Sequence, residues 1–104
     1  MKKIICLLFA CLPLAAHAYP IEVEKKFNGA EVSASTQVID HNMSALMLYN
    51  YGQSEAECTA VFRNGPEAPR TRRTVLAPGA SNNMTVKFTR SVIRLRVNLT
   101  CNLR

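Results

Sequence analysis

Val92-Ile93-Arg94-Leu95-Arg96-Val97-Asn98-Leu99-Thr100-Cys101 alternates strictly, with Ile93, Leu95, Val97, Leu99 and Cys101 on one side of an extended chain and Arg94, Arg96, Asn98 and Thr100 on the other. A period of two is the signature of a strand with one face in a core and one in water. The same alternation in Glu57–Arg63 points Cys58, Ala60 and Phe62 inward and Thr59 and Arg63 outward. Both cysteines therefore fall on core faces, as a disulfide between packed strands requires.

Working outward, strands are predicted at Ile21–Lys26, Glu31–Val38, Ser44–Tyr51, Arg72–Ala77 and Asn83–Phe88, and no helical period is visible. The punctuation between them is specific. Asn28-Gly29 is a tight-turn dipeptide, Asn64-Gly65-Pro66 ends the first cysteine strand, and Ala77-Pro78-Gly79 suits a turn with proline second and glycine third. Seven short strands spaced by turn signals predict an all-β fold, a small antiparallel β-sandwich of immunoglobulin-like type with one disulfide. A small Greek-key barrel is the alternative. The chain has no Trp, so the tryptophan that packs on the disulfide of antibody domains is missing and the likeness is architectural. In Ser44–Tyr51 both faces are apolar, which predicts a central strand; the alternative is an exposed docking surface.

Residues 1–18 read as a signal peptide. Lys2 and Lys3 form a basic start, Ile4–Leu14 is apolar, and Ala16-His17-Ala18 supplies the small residues of a cleavage site, so cleavage is predicted between Ala18 and Tyr19. The apolar run rises only about 16 Å as a helix, roughly half a bilayer core, so no stable membrane insertion is expected after cleavage. Leu8-Phe9-Ala10-Cys11 loosely resembles a lipobox, with a bulky Phe9 and a very early Cys11.

The whole chain of 104 residues carries four cysteines and a formal charge of +6. Without the leader, a single β-sandwich domain over residues 19–104 retains Cys58 and Cys101, one histidine and a net charge of +4. A cysteine pair in an exported chain predicts a disulfide and a periplasmic or secreted location. Closing the intervening loop stabilises the fold by on the order of 4 kcal/mol in the chain-entropy model.

This size excludes two-domain enzymes and nucleotide folds. No catalytic residue, metal site or cofactor is expected. The only mature histidine, His41, sits in the loop Asp40-His41-Asn42, the acids form no paired motif, and no glycine-rich loop precedes a helix. Two cysteines and one histidine cannot supply four closely spaced metal ligands.

Charge is divided along the chain. Tyr19–Ala60 balances at −4 and Val61–Arg104 at +8, and eight of the nine cations in the second part are arginine. Arginine suits bidentate contact with phosphate or carboxylate. Arg70, Arg72, Arg73, Arg94 and Arg96 are the predicted anionic-ligand surface of a non-enzymatic binding module, with polysaccharide, lipopolysaccharide or an acidic protein as partner. No specific nucleic-acid binding is expected, because aromatic stacking residues are few. The competing expectation is that the acidic half simply pairs with the basic half. An alternative function is assembly through strand edges or the apolar strand Ser44–Tyr51, and the oligomeric state is left open.

Leu48-Tyr49-Asn50-Tyr51-Gly52, Cys58-Thr59-Ala60-Val61-Phe62-Arg63-Asn64-Gly65-Pro66-Glu67, Ala77-Pro78-Gly79 and the run to Cys101 resemble a family of small exported, functionally uncharacterised proteins of pseudomonads and relatives. Some of its members carry a 3-phosphoglycerate kinase label. The chain has no nucleotide-binding element and about a fifth of the length of a two-domain kinase. The resemblance implies export and a disulfide and transfers no active-site residue.

Overall fold

The computed structural model describes residues 19–104; the predicted leader lies outside the described residues. Seven strands follow one another: β1 (Ile21–Asn28), β2 (Val32–Asp40), β3 (Met43–Asn50), β4 (Ala56–Arg63), β5 (Arg70–Leu76), β6 (Ser81–Lys87) and β7 (Leu95–Leu103). They form a four-stranded sheet in the order β1-β7-β4-β5 and a three-stranded sheet in the order β2-β3-β6. The fold is a small β-sandwich with one disulfide, and its strand order is not that of an antibody domain. Every pairing is antiparallel except β1 with β7, which run parallel.

The inner faces follow the alternation that predicts them. Cys58, Ala60 and Phe62 of β4 and Leu95, Val97, Leu99 and Cys101 of β7 are buried against Leu46 and Leu48 of β3 and Met84 and Val86 of β6. Phe88, just after β6, completes the core. β3 is the central strand of its sheet, with Leu46 and Leu48 turned inward and Ala45, Met47 and Tyr49 outward.

The disulfide joins Cys58 and Cys101 at a Cα separation of 4.1 Å. The two residues lie directly opposite one another in the β4–β7 ladder, so the bond staples neighbours within one sheet.

The turns obey their residues. Ala80 N–H donates to the Ala77 carbonyl at 2.9 Å, and Gly79 sits third in that turn at φ 80°. In the β4–β5 loop, Gly65 at φ 54° follows Asn64, whose carbonyl accepts from Glu67 N–H at 3.1 Å. At the opposite end, buried Asn50 donates to the carbonyls of Ser54 (2.8 Å) and Leu76 (3.0 Å) and accepts from Gly52 N–H (2.9 Å). These bonds satisfy loop groups that would otherwise be orphaned.

One expectation is corrected. The alternation places Ile93 in the core, whereas Ile93 is 85% exposed and β7 begins only at Leu95. Val92 N–H donates to the His41 carbonyl at 2.7 Å, which draws Val92 into the core. Leu95 N–H donates to the Pro20 carbonyl at 3.0 Å and starts the strand afresh. Ile93 lies between these two anchors and faces water.

Candidate anion-binding site

The five arginines singled out from the sequence separate into three places. Arg96 lies on the outer face of β7, and Arg94 precedes the strand. Arg73 is on the outer face of the edge strand β5, opposite Thr59, which stands four residues along β4 from Arg63, or about 13 Å. Arg70 and Arg72 point the other way, since their ladder partners Phe62 and Ala60 face the core.

Arg70 has a structural task. Its guanidinium lies 5.7 Å from the centre of the Phe88 ring, and its Nη2 is 3.8 Å from Glu67 Oε1. It closes the edge of the core and leans on the loop beyond it. Arg72 donates to the Thr71 carbonyl at 3.2 Å, and Arg73 Nε is 3.7 Å from Glu57.

Around Arg94 and Arg96 the fold gathers two further arginines. Arg63 ends β4 and is the ladder partner of Arg96, so both side chains leave the same face. Arg90 comes from the β6–β7 connection. Arg63, Arg90, Arg94 and Arg96 line a cleft of about 420 Å³ together with Pro66 and the exposed Ile93. A neighbouring groove of about 550 Å³ shares Arg63 and Arg96 but has Glu22 and Glu24 in its wall. Arg63 and Arg96 thus stand on the boundary between a cationic hollow and a mixed one.

The parallel β1–β7 pairing sets Glu22 opposite Arg96. Glu22 lies 3.5 Å from Arg94 Nε and 3.7 Å from Arg96 Nε. The acidic half of the chain does pair with the basic half here. One carboxylate serves two guanidiniums, and among the described residues neither Arg63 nor Arg90 has an ion-pair partner. The cleft keeps a surplus of positive charge.

Glu67 does not line the cleft but ties its wall together. Its carboxylate accepts from the backbone N–H of Arg90 (2.9 Å) and Thr89 (3.0 Å) and from the Asn64 amide (2.9 Å). The Asn64 amide also reaches the Arg90 carbonyl at 3.3 Å. The β4–β5 loop is thereby latched to the β6–β7 connection, which fixes Arg90 beside Arg63. The Arg90 N–H above all, with Thr89, Asn64 and Arg70 adding to it, holds the Glu67 carboxyl below its usual range against a smaller opposing effect of burial.

His41 is an exposed residue of the β2–β3 turn, its Nδ1 3.1 Å from Asp40 Oδ1. At the same end, the Tyr19 hydroxyl donates to the Met43 carbonyl at 2.8 Å, and burial raises its pKa. Among the described residues no helix is long and apolar enough to cross a membrane.

Arg63 and Arg90 are absent from the sequence-derived set, yet one of them was within reach. A direct Cys58–Cys101 pairing in an antiparallel ladder puts Arg63, five residues beyond one cysteine, opposite Arg96, five residues before the other. Arg90 depends on a loop latch that no periodicity reveals. No family model and no curated protein matches this chain.

Proposed function

We propose that this protein is a non-enzymatic binding module of an oxidising compartment, periplasmic or extracellular. It engages an anionic partner through the cleft of Arg63, Arg90, Arg94 and Arg96. One observation carries the reading: four arginines converge on one concave surface, and two of them have no carboxylate partner among the described residues. Planar guanidiniums on a rigid strand pair and a latched loop suit bidentate contacts to phosphate, sulfate or carboxylate. The partner classes that present such groups in rows are acidic polysaccharide, the phosphates of lipopolysaccharide and an acidic protein surface. Arg72 and Arg73 extend the cationic field along β5, and Arg70 supports the wall through Glu67.

The disulfide fits an oxidising environment. Removal of residues 1–18 after Ala18 belongs to the same reading, as does membership in the exported family that the motifs resemble.

Binding of the purified oxidised protein to heparin, and separately to lipopolysaccharide, tests it by titration across ionic strength. Affinity should fall steeply with salt, and Arg63→Ala with Arg96→Ala should weaken it by about tenfold or more. Salt-independent binding, or affinity unchanged in the double variant, refutes the site.

A further inference from the structure

An edge strand offers a row of unpaired backbone N–H and C=O groups, and proteins usually guard such rows. Three of the four sheet edges here are guarded. β1 carries Lys25 on its inner face, opposite Leu99. β5 carries Arg70 and Arg72 on its inner face. A strand added beside either would bury a charge. β6 is covered by β5, with the Asn82 amide donating to the Thr74 hydroxyl across the flank.

From Val32 to Val38 β2 has no such device, and its one register shift, between Val38 and Asp40, falls at its end. Val32-Ser33-Ala34-Ser35-Thr36-Gln37-Val38-Ile39 contains no charge, proline or glycine, and its register with β3 is unbroken from Val32 to Val38. Its inner residues Ala34, Thr36 and Val38 are only half-buried, whereas their β3 partners Leu48, Leu46 and Ser44 are fully buried. The flank between β1 and β2 thus leaves apolar surface that one more strand would cover.

We infer that β2 is an association edge whose occupant is β2 of a second copy, paired antiparallel about a two-fold axis through Ser35. Continuity of the core requires that facing residues share a face. Centring on Ser35 meets this condition: Val32 faces Val38 and Ala34 faces Thr36 inward, while Ser33 faces Gln37 and Ser35 faces its own copy outward. No charge meets a charge, because Asp40 lies beyond the paired stretch. The sequence is self-complementary in a closed, isologous sense, and two three-stranded sheets become one of six. The alternative register centred on Thr36 would set Val32 against Asp40, which argues against it.

The association is independent of the arginine cleft, which lies on the other sheet, and its salt response has the opposite sign. Two copies of a basic chain repel, so added salt should tighten the pairing while it weakens anion binding.

Sedimentation equilibrium of the purified protein, at concentrations up to about 1 mM, should show a reversible dimer. Ser35→Lys puts two cations together on the axis and should weaken the dimer by about tenfold or more. Ser33→Lys should also weaken it, and adding Gln37→Glu should restore it, because the new ammonium of each copy then meets the new carboxylate of the other across the interface. A strictly monomeric parent, a dimer indifferent to Ser35→Lys, or no recovery in the double variant overturns the inference. Circular dichroism of each variant separates lost association from lost fold.

Discussion

On the outer face of the sheet β1-β7-β4-β5 stand Glu22, Glu24, Lys26, Arg63, Arg73 and Arg96; the outer face of β2-β3-β6 has three successive rows without a charge, Ser33–Tyr49–Ser81, Ser35–Met47–Asn83 and Gln37–Ala45–Thr85, and carries charge only at one end, where Asp40 and Lys87 flank Met43. Both faces arise from the same period-two alternation, and both meet water in the single chain. An outward position constrains folding little, so neutral and charged residues serve the sandwich equally well there. The fold therefore does not dictate the difference. The charged face is equipped for an ionic partner, whereas the three uncharged rows of the other can lie close to another polypeptide without desolvating an ion.

The severest way to break this comparison is to remove the staple that only the charged sheet possesses. Reducing Cys58–Cys101, or replacing both cysteines with serine, releases a loop spanning a separation of 43 residues and should cost about 4 kcal/mol in the chain-entropy model. For a domain of this size, that lowers the melting temperature by on the order of 20 °C. Because the bond sits on the two strands that carry Arg63 and Arg96, anion affinity should fall in the reduced protein at temperatures where it remains folded. Pairing through β2 should not. Calorimetry with and without reductant, followed by the two binding assays, checks each part. A loss below about 1 kcal/mol would mean that the β4–β7 ladder holds its register unaided.

The two sheets also differ in how far they were legible. The inner faces of β4 and β7 could be read directly, because Phe62, Leu95, Val97 and Leu99 obey simple alternation and the cysteines mark the pairing. The central place of β3 followed from apolar residues on both of its faces. Ile93 misleads, since the backbone bonds from Val92 to the distant His41 carbonyl and from Leu95 to the Pro20 carbonyl start the strand later than the alternating residues do. Arg70 misled in another way. It counts as one more cation in the sequence, while its inner-face register and Phe88 make it part of the core's edge. Arg90 reached the cleft through Glu67, a carboxylate whose three hydrogen-bond donors come from two separate loops. Contacts between loops are set by where the strands end, which no local pattern encodes.

Glu67 allows a sharper test of whether the cationic face depends on that latch. Its carboxyl is held below the ordinary range in the folded protein, so its contribution to stability is fully present above the unfolded value, about 4.3. That contribution is lost as pH falls through the lower folded value. Glu67→Gln removes the charge that the Arg90 and Thr89 N–H groups solvate. Urea denaturation should show the variant less stable than the parent near pH 7, with the gap closing as both are acidified below about pH 4. Anion affinity near neutral pH should fall as well, because Arg90 loses its anchor. A gap that persists unchanged at low pH would show that packing of the side chain, and not its charge, holds the loops together.

The smallest effect tests the balance of charge on the same face. Glu22 sits on the outer side of β1, about half exposed, and its carboxylate is the nearest anion to both Arg94 and Arg96. Exposed pairs of this kind contribute little to folding, so Glu22→Gln should shift stability by no more than about 0.5 kcal/mol. A ligand anion, however, competes with that carboxylate for the same two guanidiniums. Removing it should strengthen heparin binding by about twofold to fivefold at low salt, and screening should erase most of the gain as the Debye length shrinks. Glu24→Gln is the control, because Glu24 lies opposite Asn98 and pairs with no arginine among the described residues. If Glu22→Gln weakens binding instead, the carboxylate acts as a strut that holds Arg94 and Arg96 apart at the spacing the ligand needs. The acid would then belong to the anion site as fully as the arginines it touches.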